Sequence, residues 1–139
     1  AERAALAQEA SALARAHGAL LVVNDDAELA RHCAADGLHL SAAALARCQA
    51  RPEFAWVGAS CHNAAEIARA GELELDYALL GPVLPTPTHP GAAVLGWAGF
   101  ATQCAGNALP VLALGGMRED QRAIAQQHGA HGLALMRGW

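Results

Sequence analysis

Residues able to bind an anion or move a proton recur in this chain just behind short apolar runs. Asn24 and Asp25 follow residues 20–23, and Ser41 follows residues 38–40. Ser60, Cys61 and His62 close the run that starts at Trp56. Thr86, Thr88 and His89 lie in the loop Gly81-Pro82-Val83-Leu84-Pro85-Thr86-Pro87-Thr88-His89-Pro90-Gly91. Gly115 and Gly116 follow residues 111–114, and Arg137 and Gly138 follow residues 133–136. The set is small, polar and rich in donors, which suits an anionic, phosphate-bearing ligand. Glycine N–H groups can come close to a phosphate, with Arg137 either clamping the anion or standing as a surface charge. A histidine titrates near neutrality, so His62 is a candidate general acid or base, or an exposed ring ahead of a helix. Asp25 is either an oxygen ligand for a divalent cation or, with Glu28, a capping box for the next helix. Ser60 reads as a ligand contact or a turn hydroxyl, and the threonines as ligand contacts or spacers between prolines.

These positions need a scaffold that brings strand ends together. Helix and strand alternate along the whole chain. Helix is expected over 2–17, 27–33, 42–50, 64–70, 97–105 and 119–128, and strand over 20–23, 38–40, 56–60, 77–80, 111–114 and 133–136. Leu6 and Leu13 share one side of the first helix, which Gly18 closes as a left-handed cap. The run 20–23 reads as a parallel strand buried on both faces. Asn63 with Glu66 makes a capping box, and Glu119 and Asp120 favour the start of the last helix. Trp97, Phe100 and Cys104 fall near one helix face. The corner from helix to strand recurs as Ala16-His17-Gly18, Ala35-Asp36-Gly37 and Gln127-His128-Gly129. Recurrent units of this kind imply a parallel sheet, either doubly wound or part of a (β/α)₈ barrel. In both, ligands bind at the C-terminal strand ends.

Composition removes several function classes. The chain has 139 residues, 54% hydrophobic and 16% charged, with a net charge of −4. That is one folded domain with a real core and no general affinity for nucleic acid. Alanine supplies 36 positions, which favours helix and fills little volume. No apolar run has the length of a membrane span. All 9 basic residues are arginine, so neither a Schiff-base lysine nor a P-loop lysine exists. Cys33, Cys48, Cys61 and Cys104 form no C-x-x-C pair, and the 7 histidines are scattered. The cysteines therefore read as reduced thiols of a cytoplasmic protein.

Taken in order, LLVVNDDAELA, ADGLHLS, WVGASCHNAAEI, DYALLGPVLPTPTHPG, PVLALGGM and GAHGLALMRG resemble the thiamine-phosphate synthase family, which includes the thiazole tautomerases. The specific parts are G-P-V-x-P-T-x-T and N-D after an apolar strand. The resemblance implies an incomplete (β/α)₈ TIM barrel of six parallel strands. The family's first two strands and first helix would be absent, and the chain would be a fragment of a larger protein. The P-T-P-T-H-P-G-A stretch and the R-G-W ending look like domains fused behind a Nudix hydrolase.

For a synthase, the resemblance implies that Mg²⁺ and a pyrimidine diphosphate are held by Asn24 and Asp25, with Ser60 on the pyrophosphate. Thr86, Thr88 and Gly116 would bind the thiazole phosphate. Ala44 stands where the family carries a second carboxylate, His89 where it carries lysine, and Arg137 where it carries serine. For a tautomerase, the resemblance makes His62 the proton carrier, with no metal. A third reading is a non-catalytic sensor of a phosphorylated ligand attached to the Nudix domain. Two open sheet edges, at residues 20–23 and 133–136, lead to the expectation of a homodimer.

Overall fold

The computed structural model describes residues 2–137. Gly138 therefore lies outside the described residues. Six strands form one parallel sheet in sequential order: β1 (Val22–Asn24), β2 (Gly37–Leu40), β3 (Trp56–Cys61), β4 (Tyr77–Leu80), β5 (Val111–Leu114) and β6 (Gly132–Ala134). The helices are α1 (Glu2–Ala16), α2 (Ala27–His32), α3 (Ala42–Arg47), α4 (Ala64–Glu72), α5 (Gly96–Cys104) and α6 (Arg122–Gln127). A 3-10 turn, Glu119–Gln121, precedes α6, so the acidic start foreseen for the last helix falls in this turn. Among the described residues β1 and β6 each have one neighbouring strand, and the sheet stays open. No helix there is long and apolar enough to cross a membrane.

Register and burial together show how the sheet is used. Val23, Leu38, Val57, Ala78, Val111 and their face-mates Leu40, Ala59, Leu80 and Ala113 are buried. They pack with Ala30, Leu45, Ile67, Phe100 and Ala125 from the helices into one core. Most residues of the opposite face, including Ser60, Tyr77, Leu79, Leu112 and Leu114, are only half-buried. The first run is correspondingly not buried on both faces: Leu20 is exposed, and Leu21 and Val22 are half-buried. On α1 the side shared by Leu6 and Leu13 faces outward, while Ser11 is buried. The helix contacts α2 through polar links, Arg3 to Asp26 at 3.0 Å and Gln8 to His32 at 3.2 Å.

Three strand entrances repeat one device. Asp36 donates its N–H to the Leu21 carbonyl (2.9 Å) and accepts the Leu21 N–H on its carboxylate (2.8 Å). Asp76 does the same with Val57, at 2.8 and 2.6 Å, and also holds the Arg51 guanidinium at 2.8 Å. His131 pairs likewise with Val111, but its ring Nδ1 accepts the N–H at 3.4 Å. Of the sequence corners, only Ala35-Asp36-Gly37 is such an entrance. Gly18 and Gly129 instead end helices at positive φ.

A charged acceptor on a backbone N–H is stronger than a neutral, long one. His131→Asp is therefore expected to stabilise the chain by about 1 kcal/mol, raising the melting temperature by a few degrees. Thermal unfolding followed by circular dichroism checks this, and an unchanged or lower midpoint contradicts it.

Candidate functional site

The C-terminal rim of the sheet carries two adjoining cavities. One, of about 340 Å³, is lined by Thr86, Thr88, Gly115, Gly116, Arg118 and Arg137 among others. The second, of about 220 Å³, includes Ser60, His62, Thr88, His89 and Gly115. Thr86, Thr88 and Gly115 border both. Ser60, His62, Thr86, Thr88, His89, Gly115, Gly116 and Arg137 are thus brought together. Asn24 and Asp25 line neither cavity; they stand at the β1 end of the rim.

Glycine is required at the shared wall. Gly115 and Gly116 have φ of +100° and +66°. A Cβ at Gly115 would sit 2.7 Å from Pro82 Cα, and one at Gly116 2.6 Å from the Pro85 carbonyl. The left-handed conformation and the missing side chain let backbone approach backbone and leave a cradle open to an anion.

Asp25 is committed to local structure. Its φ is +56°, its N–H bonds to the His39 carbonyl, and its carboxylate accepts the Ser41 N–H at 2.7 Å. Burial pushes its pKa up, but hydrogen bonds from Ser41 and the charges of His39 and Arg47 outweigh this, leaving it below the usual value. The capping box with Glu28 is not formed: Asp26 caps α2, accepting the Leu29 N–H at 2.9 Å. Asn24-Asp25-Asp26 offers two carboxylates for one cap, and the positive φ turns the first away. Magnesium needs several oxygen ligands, and the donor set here is a single carboxylate with one oxygen engaged; Ala44 adds none. No group of three His, Cys, Asp or Glu among the described residues could hold a metal ion. The residues present do not fit a magnesium site.

His62 is held at its root. Glu66 accepts the His62 backbone N–H at 2.6 Å and lies 3.2 Å from ring Nδ1. Asn63 caps α4 by accepting the Glu66 N–H at 3.0 Å. Glu66 reaches back one residue further than a capping box requires, and so grips His62 rather than Asn63. With Nδ1 engaged, Nε2 is the nitrogen left to face a ligand. Beside it, burial and then the Glu66 charge push the Cys61 thiol up to about 12. Cys61 therefore stays a thiol and is no nucleophile.

The sequence reading missed His39 and Tyr77. His39 is buried on β2, with Nε2 2.8 Å from Ser60 Oγ and Nδ1 3.1 Å from the Tyr77 hydroxyl. Its ring stacks on Tyr77 at 5.7 Å between centroids. Burial lowers the His39 pKa, and the charge of Asp25 opposes this in part. Two signals pointed here: a histidine inside a buried strand needs partners, and Gly58 interrupts an apolar run. A Cβ at Gly58 would lie 2.1 Å from the Tyr77 ring.

The thiamine monophosphate synthase family matches residues 1–139. The thiamine-phosphate synthase of Thiobacillus denitrificans is 39% identical over 140 residues, covering 98% of this chain and 66% of its own length. That of Chromobacterium violaceum is 40% identical, covering 95% and 65%. The chain spans about two-thirds of the length of these relatives. A solved thiamine phosphate pyrophosphorylase from Pyrococcus furiosus superimposes with a TM-score of 0.77 at 27% identity, over 96% of this chain and 65% of that one. The order of motifs, the six-stranded parallel sheet and these matches agree: the chain belongs to the thiamine monophosphate synthase family.

Proposed function

We propose that this domain binds a phosphorylated heterocycle of thiamine biosynthesis and serves a thiamine-phosphate synthase-type site. The observation that carries the reading is the cradle at Gly115 and Gly116, open between Thr86, Thr88 and Arg137. The phosphate would rest on the glycine backbone, with the threonine hydroxyls and the Arg137 fork closing on it. The ring would extend toward the cavity of Ser60, His62 and His89. Synthesis requires orienting two substrates and stabilising a leaving pyrophosphate, and the residues present contribute hydroxyl, backbone and arginine donors to that end.

Titration with a thiazole phosphate tests the cradle. Arg137→Ala is expected to weaken binding about tenfold or more, the scale of a charged hydrogen bond. Gly116→Ala, whose Cβ would meet the Pro85 carbonyl, is expected to displace the threonine loop and to remove binding with it. Wild-type affinity in both variants refutes the assignment.

A second reading rests on His62. With Glu66 on Nδ1, Nε2 is presented as a proton carrier, which is the chemistry of a thiazole tautomerase. His62→Ala is then expected to lose about 10²- to 10⁴-fold in isomerisation rate with phosphate affinity retained. Pyrophosphate release that survives His62→Ala favours the synthase. Phosphate binding with neither activity is the outcome for a sensor, whether or not a Nudix hydrolase is joined to it.

The edges at β1 and β6 bear on assembly. Each leaves a row of backbone groups unpaired within the described residues, and Leu20 and Met136 beside them are exposed. We read these edges as covered by a second copy of the chain. Light scattering over a micromolar concentration series should give a dimer, and a stable monomer at every concentration counts against it.

A further inference from the structure

Among the described residues that line the two cavities, Ser60 is the one whose side chain is tied to a buried histidine and, through it, to a half-buried tyrosine. In register, His39 on β2 lies beside Gly58 on β3, and Gly58 beside Tyr77 on β4. Because Gly58 has no Cβ, the Tyr77 ring lies across β3, and its hydroxyl reaches His39 Nδ1. The other ring nitrogen meets Ser60 Oγ, and Ser60 borders the cavity that also holds His62 and His89. From these contacts we infer that Tyr77 and His39 are positioning residues that fix the Ser60 hydroxyl as a hydrogen-bond donor into the cavity, toward an anionic oxygen of the ligand. The inference rests on the phosphate reading above for the ligand, and on geometry alone for the direction.

Counting protons sets that direction. A phenol carries one proton, a neutral imidazole one N–H, and a serine hydroxyl one. Two hydrogen bonds join the three groups, so one proton points elsewhere. If Nδ1 carried the imidazole proton, it would donate to the Tyr77 oxygen, and Ser60 would donate to Nε2. The phenol proton would then have no acceptor among the described residues, on a half-buried ring. In the opposite arrangement Tyr77 donates to Nδ1, Nε2–H donates to Ser60 Oγ, and the Ser60 proton faces the cavity. Both hydrogen bonds of the row then have a donor and an acceptor, and the one remaining proton points into the cavity. Each bond in the row also polarises the next, strengthening Ser60 as a donor. The same three residues in the reverse direction would make a serine–histidine nucleophile pair. The proton count selects the donor instead, so Ser60 binds oxygen anions and does not attack.

The test has two readouts. In protein labelled with ¹⁵N-histidine, long-range ¹H–¹⁵N correlation should show His39 as the Nε2–H tautomer. Tyr77→Phe, which keeps the ring and removes the donor, should release it to a tautomer mixture. Inorganic pyrophosphate serves as the anion probe. Ser60→Ala should weaken its binding about tenfold or more, and Tyr77→Phe about three- to tenfold without touching the ligand. The double variant should be no weaker than Ser60→Ala alone, because Tyr77 acts through Ser60. An Nδ1–H tautomer in the wild type, or additive losses in the double variant, overturns the inference. So does pyrophosphate binding that ignores Ser60→Ala, and this outcome leaves the glycine cradle standing. The Nε2–H tautomer without any pyrophosphate binding refutes both the ligand assigned to Ser60 and the phosphate reading beneath it.

Discussion

The close approach of the β4 loop to the end of β5 shapes everything else at the rim. Beyond Leu80 the chain does not turn away but continues alongside β5. The Val83 N–H bonds to the Leu114 carbonyl at 2.9 Å and the Leu84 N–H to the Gly115 carbonyl at 3.1 Å. Such proximity tolerates no side chain at the seam: a Cβ at Gly81 would fall 2.2 Å from the Leu114 carbonyl oxygen. Glycine at 81, 115 and 116 is therefore a steric condition for the loop to dock. Val83 enters the core as a result and is fully buried, anchoring a segment that, apart from the half-buried Thr86, runs exposed from Pro85 to Val94. Both cavities lie against this seam and share Thr86 and Thr88 in their walls.

The fold was legible because a parallel sheet imposes a rhythm that side chains must follow. Each strand needs a crossover helix, and each helix needs a start and a stop. Ser41 and Asn63 cap α3 and α4 through their side chains, and Gly18 and Gly129 end helices at positive φ, so these boundaries were readable. The cap of α2 was not, since adjacent aspartates are equivalent in sequence. Only the φ of +56° at Asp25 separates them, by swinging the first carboxylate onto Ser41. Nor was the one-sided burial of the sheet readable. Leu112 and Leu114 are as apolar as Val111 and Ala113, and composition does not say which face the helices cover.

The site divides along the same line. Residues at strand ends are found by a rule of architecture, since the C-terminal rim is where side chains and loop amides converge. Hence Ser60, His62, Thr86 and Gly116 are legible as candidates from the sequence. His39 and Tyr77 lie inside strands, where L-H-L and D-Y-A-L-L read as core. Their role depends on a lateral row across β2, β3 and β4, which brings residues 38 apart in sequence into hydrogen-bond contact. Gly58 is the trace such a row leaves: a strand gives up a side chain where a neighbouring ring must cross it.

Charge at the rim follows from the absence of lysine. An ammonium is a compact point charge on a flexible stem, whereas guanidinium is a planar fork that binds phosphate oxygens in pairs. Arg137 and Arg118 border the cavity that holds the glycine cradle. Arg118 is already engaged, with Nε and Nη2 both on the Asp120 carboxylate at 3.2 and 2.9 Å. The Asp120 charge cancels most of its field, and its pairing geometry is spent. Arg137 has no such competitor among the described residues, so on the phosphate reading the positive end of the cradle would fall to it. On the phosphate reading proposed above, anion binding would depend less on lysine-like charge than on fixed dipoles: glycine amides, threonine hydroxyls and the Ser60 hydroxyl. Fixed donors of this kind need no reorganisation when the ligand arrives, and their strength rises as the cavity excludes water.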